Sequence, residues 1–371
     1  MLPILMSLLP WSAGAQAGQR RWSPTAAEVL WSPYTWKQEP TANGATAAEA
    51  CMPGAYLRLR VRGTTRLGLS IDAGALLGSP SGTTPIIEYA LDDGPYATAR
   101  LSDAGDVCDV LLAEGLAPHD EHELHLVFRA GTLHERWHSC RPRLRITGFL
   151  TDAQGQLLAV ARRARHIIGW GDSITEGVGV DALFTGWNDL LPNHARGTWL
   201  PVVAQVLDAE YGQLGTGGQS LSAAIPGGLP PLGATWSVYD ASQASRLAAD
   251  RLSPQPDAIF CNMGTNDRVD PTADYARWLA AVRQAAPQAW LFVVVPINGF
   301  WRGPITTLVM HLRQADARLV LIDCPQLQAG APAHGRPSSL AYDGVHPTLH
   351  GEALFGALIA AQAQRAWMQP P

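Results

Sequence analysis

The pattern of apolar and polar positions changes once along the chain. From about Trp22 to Val160, apolar residues alternate with polar ones over short runs: Ala55 to Val61, Arg66 to Ile71, Ile86 to Leu91, Tyr96 to Leu101, Glu123 to Arg129, Leu144 to Leu150 and Gln156 to Val160. A period of two turns one face of a strand to a core and the other to water. Turn signals such as Asp92-Asp93-Gly94, Ala130-Gly131 and Gln154-Gly155 separate the runs, and no helix of ordinary length competes. Short strands punctuated in this way predict an all-β sandwich or jelly roll over residues 22–160.

From Arg165 onward the period is different. Continuous apolar runs (Arg165 to Trp170, Glu210 to Leu214, Ala258 to Met263, Trp290 to Val295, Leu319 to Ile322) alternate with helix-like segments near Thr198 to Asp208, Ser242 to Leu252, Thr272 to Ala285, Pro304 to Ala315 and His350 to Met368. Strands that are apolar throughout are buried on both faces, so residues 165–371 are expected to form an α/β domain, a flavodoxin-like five-stranded parallel sheet between helices. Residues 1–17 stand apart as an apolar run ending in Ala15-Gln16-Ala17. That small-x-small ending predicts a signal peptide and a secreted or periplasmic protein. The run is too short to cross a membrane, and no later one reaches the ~18 apolar residues that spanning needs.

Charge narrows the partner. A formal net charge of -5, with no basic stretch, excludes a nucleic-acid footprint and points to an uncharged partner. The five cysteines, Cys51, Cys108, Cys140, Cys261 and Cys324, form no paired C-x-x-C. Cys261 and Cys324 fall in apolar runs as core residues, whereas among the other three one disulfide stays open.

Candidate chemistry clusters after the strands of the second half. Gly169-Trp170-Gly171-Asp172-Ser173-Ile174-Thr175-Glu176-Gly177 leaves the first apolar run and delivers Ser173. A serine hydroxyl is a weak nucleophile until an imidazole, itself oriented by an acid, takes its proton. Asp343-Gly344-Val345-His346-Pro347 supplies both groups. Three residues apart in a tight turn, Asp343 can accept from one ring nitrogen of His346 while the other faces Ser173. Gly215-Thr216-Gly217-Gly218 follows the second strand and Gly264-Thr265-Asn266-Asp267 the third. In parallel sheets the ligand crevice lies beyond the carboxyl ends of the strands, and all these stretches belong to that edge. Asp172 and Glu176 read as turn or capping residues. A rival motif, His134-Glu135-Arg136-Trp137-His138, matches the H-E-x-x-H of zinc proteases, but that signature needs a helix and a third ligand. Here it stands between strands in a segment about one strand long, so no metal and no cofactor is expected.

The four blocks resemble those of the SGNH (GDSL-type) hydrolase superfamily, over about Arg165 to Met368. The resemblance implies an esterase in which Ser173 attacks, His346 is the base and Asp343 orients it. It also implies an oxyanion hole made by the Ser173 N–H, a glycine N–H at Gly218 and the Asn266 side chain. The glycine block departs from the family pattern: Gly218-Gln219-Ser220 stands where a glycine is followed by Asn or Asp and then Thr, so Gly217 and Gly218 are both candidates. A β-rich half before such a domain also resembles bacterial carbohydrate esterases with an N-terminal sandwich. Trp187 and Trp301 lie in loops of the same edge as candidate sugar platforms, and no long apolar lid suits a lipid. The expected activity is removal of acetyl groups from an oligo- or polysaccharide. A lipid or aryl esterase of the same fold is the alternative. A catalytically silent carbohydrate-binding protein is the alternative of another class, against which the intact Ser173, Asn266, Asp343 and His346 speak.

Overall fold

The computed structural model describes residues 5–11, 18–41, 44–72, 76, 82–101, 109–132, 135–139, 143–186, 189–224, 229–328 and 339–368. The chain divides into two compact units, one built from residues 3–162 and the other mainly from 163–186 and 191–371.

The first unit is β-rich, with two sheets of mostly antiparallel strands. Tyr56–Arg62 pairs with His122–Ala130, which pairs in turn with Ile86–Leu91, while Arg66–Ile71 and Leu144–Asp152 pair in the second sheet. The period-two pattern is visible strand by strand. Leu57, Leu59 and Val61 are buried while Arg58, Arg60 and Arg62 are not, and they join Leu67, Leu69, Ile71, Phe128 and Phe149 in one core. Each such side chain withdrawn from water contributes roughly 2 kcal/mol before entropy is subtracted. Leu5–Met6 and Leu9–Pro10 add to the two sheets beside Thr98 and Val110; Leu8 joins the core, whereas Trp11 is buried against Gly68 with the Arg66 guanidinium over its ring. Cleavage after Ala17 would therefore remove a short strand from each sheet.

The H-E-x-x-H segment falls between strands, as a turn of helix rather than an extended piece. Glu135–His138 is a single helical turn, whose Trp137 is buried and whose carbonyl accepts from Arg143 at 3.1 Å; His134 lies outside the described residues, as do Cys108 and Cys140.

The second unit carries the five-stranded parallel sheet. Its strands are β1 (Arg165–Gly171), β2 (Ala209–Gly215), β3 (Ala258–Asn262), β4 (Trp290–Val294) and β5 (Leu319–Ile322), in the order β2-β1-β3-β4-β5. Its helices include α1 (Ser173–Glu176), α2 (Trp199–Val206), α3 (Thr272–Ala285), α4 (Arg302–Leu312) and α5 (Leu349–Trp367). Gly169 faces Leu200 of α2 while its neighbour Trp170 meets Trp278 of α3, so these two helices cover opposite faces of the sheet. Gly171 is level with Gly215 and Asn262, which brings three strand ends to one line.

One predicted helix, Ser242 to Leu252, is absent. The chain there forms a hairpin, Leu247–Ala248 against Arg251–Leu252, through left-handed Ala249 (φ 46°) and Asp250 (φ 62°). The buried Arg246 guanidinium donates to the carbonyls of Val238 and Trp236, bonds to distant backbone that outweigh local helix propensity.

Candidate active site

Ser173 sits in a turn whose shape local residues dictate. Beyond Gly171, Asp172 caps α1 by accepting from the Ile174 N–H at 3.0 Å, and left-handed Gly177 ends it. This short helix lies directly on the end of β2, where a Cβ on Gly215 would come 2.3 Å from the Glu176 nitrogen. Only glycine allows that approach. Ser173 opens the turn, so its N–H is among those without an intrahelical acceptor.

His346 arrives from the other end of the domain. Its Nε2 stands 2.9 Å from Ser173 Oγ and its Nδ1 2.6 Å from Asp343 Oδ2. The other carboxylate oxygen, Oδ1, accepts from the Val345 N–H at 2.9 Å and the His346 N–H at 2.7 Å. Burial would raise the Asp343 carboxyl, but the His346 ring and these two N–H groups outweigh it and hold the acid well below the usual carboxylate range. An ionised Asp343 keeps a proton on Nδ1 and leaves Nε2 to accept from the serine. Immediately beyond, Thr348 caps α5 through the Gly351 N–H at 3.1 Å, and Phe184 packs its ring 5.9 Å from the imidazole.

The glycine and asparagine blocks interlock beside the serine. The Gly217 N–H donates to Glu176 Oε2 at 2.6 Å, whereas Gly218 is left-handed (φ 73°) and lines an open cleft of about 910 Å³. Asn266 Nδ2 donates to the Gln219 carbonyl at 3.0 Å, and Asn266 lines the same cleft. Asp267 accepts from the N–H groups of Leu221 and Ser222 at 3.0–3.1 Å. Burial nonetheless raises its carboxyl, the largest influence on it. Beneath the serine, Asp172 is fully buried and pushed up to about 6 by that burial, against the pull of the Ile174 N–H, the His346 charge and Thr265.

The structure thus joins Ser173, His346 and Asp343 by hydrogen bonds and puts Gly218 and Asn266 on one cleft. Trp301 is half-buried, donates its indole N–H to the Asp267 carbonyl at 3.0 Å and does not line the cleft; its neighbour Phe300 does. Trp187 lies outside the described residues.

Residues 170–354 match the GDSL-like Lipase/Acylhydrolase family. The C-terminal domain belongs to it. Among curated protein sequences none matches. Solved structures do. A family two carbohydrate esterase from Cellvibrio japonicus superimposes with a TM-score of 0.74 at 19% identity, covering 95% of this chain and 99% of its own. An acetyl xylan esterase from Butyrivibrio proteoclasticus gives 0.70 at 15% identity, covering 95% and 99%. The salicylyl-acyltransferase SsfX3 from a tetracycline biosynthetic pathway gives 0.58 at 16%, covering 95% and 97%. At these identities the likeness is one of fold, and it extends over the β-rich unit as well as the GDSL-like domain.

Two residues of this domain's site escape a reading of the sequence. Glu176 looks like a capping residue, yet its carboxylate holds the glycine loop; an acid one turn after the serine was the available signal. Arg268 lines the cleft directly after the asparagine block, and nothing in the sequence marks it.

Proposed function

We propose that the chain is a serine esterase that removes acetyl groups from a carbohydrate through an acyl-enzyme, without a metal or cofactor. The observation that carries the reading is the relay from Asp343 through His346 to Ser173, with both hydrogen bonds at 2.9 Å or less. His346 Nε2 takes the hydroxyl proton as Ser173 Oγ attacks the ester carbonyl carbon, and the imidazolium is stabilised by Asp343. The charge on the carbonyl oxygen is met by the Ser173 N–H, the Gly218 N–H and the Asn266 amide. Gly217 is the weaker candidate, because its N–H is already engaged by Glu176. His346 then gives its proton to the departing sugar oxygen. Water, deprotonated by the same nitrogen, attacks the acyl-serine and releases acetate.

The likeness of both units to carbohydrate esterases supports a saccharide as the alcohol, and the leader-like residues 1–17 support export. In this reading residues 22–160 are an accessory domain to the catalytic residues 165–371. The decisive experiment replaces Ser173 by Ala. Aryl acetate hydrolysis should fall by several orders of magnitude with the fold intact, and a serine-reactive phosphonate should label only the parent. Undiminished turnover in S173A, or activity removed by a chelator, ends the proposal.

A second reading, an aryl or lipid esterase, draws on the apolar cleft wall of Ala223, Ala224, Val269 and Phe300. Aryl esters of rising acyl length decide between them. A deacetylase should cleave acetate fastest, whereas a lipid esterase should gain up to ~0.8 kcal/mol for each methylene it buries.

A further inference from the structure

The cleft beside Gly218 and Asn266 is unusual in its charges. Arg268 lines it, is exposed, and makes no hydrogen bond or ion pair with any described residue. Elsewhere in the domain Arg277, Arg283 and Arg302 each meet a carboxylate, on Asp274, Asp316 and Asp323, whereas the exposed Arg251 and Arg365 meet none among the described residues; Arg268 differs from these two in lining the cleft. The adjacent acid does not serve Arg268. Asp267 is the only carboxylate among the described residues of the cleft, and it turns to the backbone of Leu221 and Ser222.

A site for a neutral sugar pairs donors with carboxylate acceptors, because each hydroxyl both gives and takes a hydrogen bond. Here the one carboxylate is engaged, the hydroxyls of Ser220, Ser222 and Thr265 can give or take, and the Arg268 guanidinium can only give. At Arg268 the cleft therefore favours a group that only accepts. Val269 and Phe300 supply apolar walls for the C–H face of a ring. A guanidinium grips a planar carboxylate through two parallel hydrogen bonds, a geometry that a hydroxyl cannot offer. Deepening the esterase reading and resting on it, we propose that Arg268 binds the carboxylate of an acidic sugar, so that the acetyl group removed is carried by a uronate-containing saccharide. This refines the expectation of an uncharged partner: the chain's net charge of -5 repels such a ligand at a distance, and the attraction is confined to one side chain.

The test compares two acetylated oligosaccharides of equal length and acetyl count, one containing a uronic acid and one neutral, using the full chain. At low salt the parent should show a kcat/KM about tenfold higher for the acidic substrate, carried by KM, the size expected of one charge-assisted contact on an open surface. The ratio should narrow as salt rises, approach one in Arg268→Gln and be partly kept in Arg268→Lys. A parent ratio near one, or an undiminished ratio in Arg268→Gln, overturns the proposal. Aryl acetate separates the two layers: a parent that cleaves it without preferring the acidic sugar sinks the Arg268 assignment alone, whereas a parent inert on every acetyl ester sinks the esterase reading. Calorimetric titration with the deacetylated uronate oligosaccharide reads Arg268 independently of turnover. Equal affinity in parent and Arg268→Gln counts against it.

Discussion

The Glu176 carboxylate accepts the Gly217 backbone N–H at 2.6 Å, with both residues buried. Through this bond the turn that carries Ser173 fixes the loop that carries Gly218. Glu176→Ala should therefore misalign the glycine donor and lower kcat on aryl acetate by about tenfold or more with KM little changed, since full loss of one such donor costs about 100-fold or more. Glu176→Gln, whose carbonyl oxygen can still accept, should keep most of the rate. Steady-state kinetics on folded variants checks this, and an unaltered kcat in the Ala variant would show that Gly218 is aligned by something else.

Asn266 has two amide hydrogens, and one of them is given to the Gln219 carbonyl. That bond aims the second. Asn266→Ala should reduce kcat by about 100-fold while leaving KM nearly constant, because the lost contact forms only as charge develops on the ester oxygen. A large rise in KM with kcat preserved would make Asn266 a substrate-binding group instead.

Asp172 should shape stability between pH 4 and 6. Its carboxyl is raised by burial from an ordinary 3.8 to about 6, so in this window the folded protein holds a proton that the unfolded chain has lost. Stability supplied by that proton is full below the unfolded value and declines as pH rises to the folded one, by on the order of 3 kcal/mol. Asp172→Asn can still cap α1 through its side-chain oxygen but has no charge to bury. It should gain stability relative to the parent as pH rises from about 4 to about 6, with no further gain above. Denaturant melts of both proteins across this range measure the difference, and a difference independent of pH would refute the assignment.

Trp301 ties its indole to the Asp267 carbonyl, and its ring stands 3.7 Å from where a Gly264 Cβ would lie. Removing that ring should loosen the turn that carries Asn266. Trp301→Ala is thus expected to lower kcat on aryl acetate and on acetylated saccharide alike. Selective loss on the saccharide would instead identify the indole as a sugar platform.

The parts of the fold that were legible in the sequence are those where local pattern and tertiary environment agree. β3 reads AIFCN and β4 WLFVV, apolar at almost every position because helices cover both sides of the sheet. The second sheet of the β-rich unit was harder to see. Thr46–Ala50 is Ala-rich with a buried Glu49, which is tolerable only because Arg143, Arg145 and Lys37 converge on that carboxylate from distant positions. The meeting of Ser173, His346 and Asp343 was legible because each lies in a compact block of turn residues beyond the parallel strands. The choice between Gly217 and Gly218 was not. It depends on which N–H Glu176 reaches, a matter of three-dimensional approach between strand ends. Arg268 was illegible for a similar reason: an arginine's lack of partners can be seen only once its neighbours are placed.

Ser173 and His346 are 173 positions apart in the chain, and the turn holding His346 is fixed by a helix that begins at Leu349. Synthesis runs from the amino end, so Ser173 and the first strand of its sheet exist long before His346 has been made. Local contacts form quickly, whereas closing so long a loop is entropically costly and comes late. A nascent or partly refolded chain would therefore carry a finished Ser173 turn without the imidazole that the proposed reaction needs. Regained hydrolysis is then a report on closure of the whole domain, and should lag behind optical signals of sheet and helix formation.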